Sequence, residues 1–501
     1  MIVRDYLEKQ ARERPAKPAI LFKDEKITFS ELNTLSNRLA NRLLKVGVKK
    51  GDRVVLLFQN CPEFCVAYFA VLNIGAIAVV LDVRLSPAEM EPIFQEAEVS
   101  AIITHVRQKI FIDRALKSVP TLQHIVVTGA ESEDIRDWHS YEEILEKESS
   151  ENISIPLQEE DEALYLYTSG TTGRPKGVVL TNNHLTCFPE TVRPSMLISE
   201  KDTYGLVLPI SHIVGPCILN LMVESGMSVS VIDEMKPKKI LDAIQSHRIT
   251  YLPGTPSIFQ MILNIPHWER YDCSSLRVIS MMGTVVPEQL MRELAERYPH
   301  LQPVQGYGAT ETSPLLTHTH LKDAQRKMAS VGKAAPRAEL KIIGQDGKEV
   351  EVGQIGEIIA RGPQIMKGYF KDPEATARKI KDGWYHSGDL GRFDKEGYLY
   401  VLGRADDMII SGGLNVYPSE VETVLLKHPK VQEAAAVGIP DVKRGQVIRA
   451  VVVLKQGETA THQEILSFCK ERLASFKMPR QLVFKDSLPK LSTGKIAKRQ
   501  L

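Results

Sequence analysis

Residues 168–176 read Thr168-Ser169-Gly170-Thr171-Thr172-Gly173-Arg174-Pro175-Lys176, a dense run of hydroxyls and glycines closed by a lysine. Glycines let backbone N–H groups curl around an anion with no Cβ in the way. Hydroxyls donate to phosphate oxygens, and the lysine adds a point charge. The run follows an apolar strand, Ala163-Leu164-Tyr165-Leu166, and has the make-up of a phosphate-binding loop. It is not the G-x4-G-K-[ST] loop of the common NTPases, because no Gly-Lys-Ser/Thr stands at that spacing. Four later stretches also carry chemistry. In Gly306-Tyr307-Gly308-Ala309-Thr310-Glu311 the flat tyrosine ring can stack on a purine, Thr310 can donate to phosphate, and Glu311 is a hard oxygen ligand suited to Mg²⁺. In Trp384-Tyr385-His386-Ser387-Gly388-Asp389 the carboxylate can accept two hydroxyl protons, as a ribose requires. Gly403-Arg404-Ala405-Asp406 leads into Ser411-Gly412-Gly413, and Pro489-Lys490-Leu491-Ser492-Thr493-Gly494-Lys495 places a lysine in a basic segment.

These residues need a scaffold, and the chain is long enough to build one. At 501 residues it exceeds what one core usually serves, so two or more domains are expected. Hydrophobic residues make up 43% and charged residues 25%, the balance of a globular protein in water. A net charge of +1 gives no reason to expect a nucleic-acid partner. The six cysteines are scattered, and no second pair joins Cys61 and Cys65 to complete a zinc site. Buried thiols in a reducing compartment are expected, and the first residues lack the apolar run of a signal peptide, so the reading is cytoplasmic. The uncharged stretch Phe64–Leu81 is long enough to raise a membrane span. Asn73 and Gly75 interrupt it, and the pattern predicts a helix over about 62–73, a Gly75 cap and a buried strand over 77–81, with no integral membrane segment.

Strands and helices alternate along most of the chain, which predicts an α/β fold with largely parallel sheets. Thr28-Phe29-Ser30-Glu31 reads as a capping box, followed by Leu32, Leu35, Leu39 and Leu43 on one helix face. Arg53–Phe58 reads as a buried strand; Ile240–Ile244 as helix; Ile249–Leu252 and Leu276–Ser280 as strands. Past about Pro336 the texture turns to short strands, Glu339–Ile343 and Gly356–Ala360, as in a small β-barrel-like lobe. From Gly403 onward the pattern is a compact α+β unit, with helices over 418–427 and 464–473 and strands over 431–437 and 447–453. No repeat or low-complexity tract is visible.

The five motif stretches, in this order from 168 to 495, resemble the signature segments of the adenylate-forming superfamily, which holds acyl-CoA synthetases, luciferases and peptide-synthetase adenylation domains. The likeness spans nearly the whole chain and is greatest to a fatty-acid–CoA ligase. It implies a large N-terminal domain of layered α/β subdomains with the β lobe, residues 1–403, and a small mobile C-terminal domain, 404–501, hinged at Asp406. It implies ATP, Mg²⁺ and coenzyme A as the reacting partners of a carboxylic acid. Carried over residue by residue, the resemblance sets the phosphates on Thr168, Ser169, Gly170, Thr171, Thr172, Gly173 and Lys176. Gly283, Gly306, Gly308 and Thr310 join them around the nucleotide, Tyr307 lies against adenine, and Asp389 and Arg404 hold the ribose. Glu311 carries Mg²⁺, Lys495 is the catalytic lysine bridging carboxylate and α-phosphate, and Gly412 and Gly413 face the pantetheine arm of CoA.

Pro209-Ile210-Ser211-His212-Ile213-Val214-Gly215 is similar to the family segment whose aromatic residue or histidine gates the acyl pocket, which makes His212 the second candidate at the reacting centre. Met281-Met282-Gly283-Thr284-Val285-Val286-Pro287 departs from the family's S-G-G-A-P-L-P, and Pro440–Gln446 departs from its W-G-E. A medium- or long-chain fatty acid is the expected substrate. An aryl acid of the benzoate or coumarate kind is the alternative, and a third reading has the acyl group passed to a carrier protein. Against that third reading, the gating segment lacks the aspartate that amino-acid-activating relatives use. A homodimer is left open.

Overall fold

The computed structural model describes residues 1–130, 138–169, 175–283, 286–411, 414–442, 444–490 and 496–501, without the side chains of Ser169, Trp268 and Arg499. Four sheets carry the fold. In the first, of eight strands, Glu162–Ser169, Ile77–Leu81, Arg53–Leu57, Ala101–His105 and His124–Thr128 run parallel. Pro175–Thr181 lies antiparallel on its edge. The second, of nine strands, has a parallel centre of Gln302–Tyr307, Val278–Met281, Tyr251–Gly254, Thr203–Leu206 and Ser228–Val231. Alternate residues of the first sheet serve two cores. Val54, Leu56, Ala78 and Val80 join the central cluster shared with the second sheet, while Val55, Leu57, Val79 and Leu81 join an outer one. Such strands are buried on both faces, which is why they read as continuous apolar runs.

The helix Pro62–Asn73 sits between the two sheets, and every residue from Phe64 to Asn73 is buried. The stretch that raised a membrane span is thus a core helix, ended at Gly75 with φ +70° and followed by the expected strand. No helix among the described residues is long and apolar enough to cross a membrane. The Thr28 box forms as expected: Glu31 Oε2 accepts from Thr28 N at 2.8 Å, and Thr28 Oγ1 accepts from Glu31 N at 3.2 Å. The strand expected from Ile249 begins at Tyr251, because the hydroxyl of Thr250 accepts Thr203 N–H and donates to Asp202 instead.

The lobe is a five-stranded antiparallel sheet containing Glu339–Ile343, Gly356–Arg361, Trp384–Phe393 and Leu399–Arg404. Its fully buried apolar centre is small, Ile342, Ile358 and Leu399. Hydrogen bonds of Leu399 with Ser330, Val331 and Gly332 join it to the large domain, and ion pairs reinforce them. Lys327 Nζ reaches Asp394 and Glu396, both at 2.7 Å, and Arg326 reaches Glu396 at 2.6 Å, with both cations over the Tyr398 ring. The small C-terminal domain has its own sheet, Leu414–Val416, Ile409–Ser411, Gly445–Leu454 and Val431–Asp441, with Gln481–Phe484 parallel to Gly445–Leu454. Helices Pro418–Leu426 and His462–Lys470 cover it, and Val421, Leu425, Ile448, Val452 and Ile465 form a separate core.

Candidate active site

The candidate residues gather where three of these sheets meet, at the carboxyl ends of parallel strands, the usual place for a ligand in an open α/β sheet. The hydroxyl-rich run begins and ends on paired antiparallel strands: Thr168 pairs with Lys176 and Ser169 with Pro175. Gly170, Thr171, Thr172 and Gly173 lie outside the described residues. A strand, Pro175–Thr181, and not a helix follows this stretch, so no helix dipole points at it. The Lys176 ammonium lies 5.3 Å from the centroid of the Tyr369 ring. Tyr369 arrives on the short strand Gly368–Tyr369, paired with Val178 and Val179 of the strand that follows the run.

Tyr369 links this strand to Glu311. Its hydroxyl donates to Glu311 Oε1 at 2.9 Å. Burial, then the neighbouring Glu311 charge, push the Tyr369 hydroxyl well above its ordinary pKa, so it remains a donor. Glu311 rides on the 3-10 turn Thr310–Thr312 at the end of strand Gln302–Tyr307, where Thr312 Oγ1 accepts from Ala309 N at 2.8 Å. The turn is so tight that a Cβ on Gly308 would stand 1.9 Å from the Pro314 carbonyl oxygen, and only glycine fits.

From the lobe comes Asp389. Tyr307 donates its hydroxyl to Asp389 Oδ2 at 2.7 Å, and Arg404 Nε stands 3.3 Å from Asp389 Oδ1. The strand Trp384–Phe393 slips register against Gly356–Arg361 between Glu357 and Ile359, which gives Ser387–Asp389 a bulged path. Gly388, at φ +76°, makes the turn. Burial works against the Arg404 charge, but Asp389, with smaller help from Tyr385, Tyr307 and Glu311, holds its pKa above the ordinary value. Burial and Asp389 together raise Tyr307. Burial first, then Glu311, Tyr369, Tyr307 and Asp389, raise Tyr385.

Thr168, Lys176, Tyr307, Thr310, Glu311, Asp389 and Arg404, expected together from their motifs, therefore share one cluster. Three of its members carry no motif signal: Tyr369, Lys379 and Glu357. Each is delivered by strand pairing or by a helix end, and only the fold could reveal it.

The segment around His212, expected from its motif to face the acid, is built differently. His212 lies in the turn between strand Thr203–Leu206 and helix Val214–Ser225, where its N–H donates to Pro209 O at 2.9 Å and its ring Nδ1 accepts from Val214 N at 3.5 Å. Asn60, itself buried, pins this segment: its Nδ2 donates to the carbonyls of Leu206, Leu208 and Ile232, and its Oδ1 accepts from Ile210 N at 2.7 Å. Met281 and Met282 are buried at the end of their strand, and Gly283 follows at φ +89°. Thr284 and Val285 lie outside the described residues, as do Gly412, Gly413 and Lys495. Asp406 is exposed, in the 3-10 turn Ala405–Asp407 that leaves the lobe.

Comparison with known proteins agrees with this geometry. The AMP-binding enzyme family model matches residues 7–370, and the model of its C-terminal domain matches 420–495. The chain belongs to the AMP-binding enzyme family. It is similar to an indoleacetate–CoA ligase of Aromatoleum aromaticum, 36% identical over 99% of this chain and 97% of the relative. It is also similar to a long-chain-fatty-acid–CoA ligase of Bacillus subtilis, 32% identical over 97% and 91%. Among solved structures, the anthranilate CoA ligase AuaEII in complex with anthranoyl-AMP superposes with a TM-score of 0.93 at 27% identity, covering 100% of this chain and 96% of that one. The chain is accordingly an AMP-forming acid–CoA ligase, with ATP, Mg²⁺ and coenzyme A as its reacting partners.

Proposed function

We propose that this ligase activates an apolar monocarboxylic acid in the cytoplasm, with a medium- or long-chain fatty acid as the first reading. The observation that carries the apolar tail is the make-up of the acid-facing segments. Residues 207–214 and 281–283 contain no lysine or arginine, and Ile210, Ile213, Met281 and Met282 are buried there. A second carboxylate placed there would have only His212 as a basic partner within these segments, and burial penalises a poorly paired charge heavily. Methionine side chains adapt to a chain or a ring. The second reading, an aryl acid, is favoured by the substrates in the names of the indoleacetate, feruloyl and anthranilate ligases that this chain resembles.

In the first half-reaction the acid's carboxylate oxygen attacks the α-phosphorus of ATP, and pyrophosphate leaves. Anion meets polyanion, so the repulsion must be cancelled by oriented donors and cations. The 168–176 run and Lys176 hold the phosphates, Asp389 and Arg404 hold the ribose, and Tyr307 borders the base. Glu311 fits Mg²⁺: it is a carboxylate whose Oε1 is oriented by Tyr369, and whose Oε2 takes no protein hydrogen bond among the described residues. When bound there the ion neutralises phosphate charge. Lys495 bridges the carboxylate and the α-phosphate.

In the second half-reaction the CoA thiol, losing its proton, attacks the acyl carbonyl carbon and AMP departs. We assign residues 404–501 as the unit that turns about Asp406 between the two steps, withdrawing Lys495 and presenting Gly412 and Gly413. The separate core of that unit and the exposed turn at 405–407 support this boundary.

The test is AMP release with ATP, Mg²⁺ and CoA over a panel of fatty, aryl and short-chain acids, with CoA omitted in parallel. CoA-dependent turnover concentrated on fatty acids supports the first reading, and turnover concentrated on aryl acids replaces it with the second. Pyrophosphate release with no CoA-dependent turnover would move the acceptor to a carrier protein.

A further inference from the structure

Lys379 stands at the end of helix Pro373–Lys379, inside the charged cluster but outside every motif that marked it. Its half-buried ammonium donates to the carbonyls of His386 at 3.1 Å and Ser387 at 3.2 Å. Arg404 Nη1 donates to the same Ser387 carbonyl at 3.0 Å. On the opposite side of this short stretch Glu357 Oε1 accepts from Gly388 N at 3.0 Å, and its Oε2 lies 3.3 Å from His386 Nδ1. Ser387 Oγ donates to Ile358 O and accepts from Asp389 N at 3.0 Å. The backbone from His386 to Asp389 is thus held by cations on the His386 and Ser387 carbonyls, by the Glu357 carboxylate on the Gly388 N–H, and by the Ser387 hydroxyl on the Asp389 N–H. This is the bulged stretch with the left-handed Gly388, a path the ladder itself does not enforce.

We propose that Lys379 is a positioning residue for nucleotide binding: by bracing the His386 and Ser387 carbonyls it fixes the bulge that presents the Asp389 carboxylate to the ribose hydroxyls. The proposal rests on the assignment of Asp389 to the ribose. Hydrogen bonds from a charged donor are the strong ones, and two of them converge here on adjacent carbonyls. A rigid carboxylate binds a diol better than one that must be ordered on binding, because the ordering cost is already met. Lys379 faces Arg404 on one strand, Asp389, His386 and Tyr385 on the next, Glu357 across the sheet and Glu311 on the 3-10 turn. Burial, reinforced by Arg404, lowers its pKa from the ordinary lysine value, with Glu311, Asp389 and Glu357 opposing. The brace therefore weakens at alkaline pH earlier than an ordinary lysine would.

The experiment compares wild type, Lys379→Met, Lys379→Arg and Asp389→Ala, with ATP and with 2′,3′-dideoxy-ATP, from neutral pH to roughly pH 10. Lys379→Met should raise KM for ATP about tenfold while kcat changes little. That penalty should shrink with the dideoxy nucleotide, which offers Asp389 no hydroxyls. Lys379→Arg should restore the neutral-pH KM and remove part of the alkaline rise. A normal ATP KM in Lys379→Met, or an equal penalty with both nucleotides, overturns the proposal, and a melting temperature for each variant separates misfolding from misplacement. If Asp389→Ala leaves the ATP KM unchanged, the ribose assignment itself falls. If Asp389→Ala weakens ATP and Lys379→Met does not, Lys379 alone is wrongly assigned.

Discussion

The nucleotide wall, running from Lys176 through Glu311 to Asp389 and Arg404, is held by charge-assisted hydrogen bonds between residues far apart in sequence. The acid-facing wall, from Ile210 to His212 and at Met281 and Met282, is held by packing and by one buried amide, Asn60. The first has little freedom, because moving one member leaves a charge unpaired in a half-buried site. The second can exchange one apolar side chain for another of similar volume at modest cost. On the assignments proposed above, chemistry common to every acid is kept on the rigid wall, and the choice of acid on the adaptable one. Relatives whose names include indoleacetate and long-chain fatty acids are consistent with that division.

Substitutions can break this contrast. The largest effect is expected from Lys495→Ala, which should cut adenylate formation by roughly three orders of magnitude. Thioester formation from supplied acyl-AMP should survive it; equal loss of both steps, measured by pyrophosphate and thioester release, would remove Lys495 from its role. Tyr369→Phe leaves Glu311 without its orienting donor, and the Mg²⁺ concentration for half-maximal activity should rise about tenfold. An unchanged Mg²⁺ titration would mean that the hydroxyl only fills space.

On the other wall, Asn60→Ala takes the Asn60 donor from the Leu208 and Ile232 carbonyls and the acceptor from Ile210 N–H, and should lower stability by about 3 kcal/mol in denaturant melts. It should also raise KM for the acid while leaving KM for ATP near normal. Met282→Ala, next in size, should shift relative kcat/KM towards bulkier acids by roughly tenfold with ATP kinetics unchanged. If it changes ATP and acid constants alike, the two walls are not separable.

The smallest effect sharpens the comparison through pH. His318, fully buried beside Ser195, has its pKa pushed down to about 3 by burial. A histidine depressed in the folded state is neutral there but protonated when unfolded. Its contribution is whole above the unfolded pKa and is lost as pH falls towards the folded one. The slope is at most about 1.4 kcal/mol per pH unit. Melting temperature should fall between neutral pH and about pH 4, less steeply in His318→Asn.

The motif residues were legible because polyphosphate, ribose and a hard cation each require particular donors, and Thr168, Glu311 and Asp389 stand in short stretches rich in glycine. The capping box at Thr28 and the helix over 62–73 were legible from local rules. Tyr369, Lys379, Glu357 and Asn60 were not. Each acts through a partner brought close by sheet register or helix packing, and a lone tyrosine, lysine, glutamate or asparagine has no local signature of such a partner. The strand Gln481–Phe484 escaped for the same reason, since its pairing with Gly445–Leu454 is its main support.

The ion pairs from Arg326 and Lys327 to the turn at Asp394 and Glu396 bear on the order in which the molecule comes apart. The apolar cluster at the lobe's centre has only Ile342, Ile358 and Leu399 buried, so this clasp, exposed at Arg326 and Glu396, matters to its seat on the large domain beside the hydrogen bonds of Leu399 to Ser330, Val331 and Gly332. Ionic clasps yield to salt, and hydrocarbon cores do not. Under rising ionic strength or mild denaturant the lobe is the first cooperative unit to open, and with it go Asp389 and Arg404. Such an enzyme falls silent towards ATP while both large sheets still protect their amide protons from exchange.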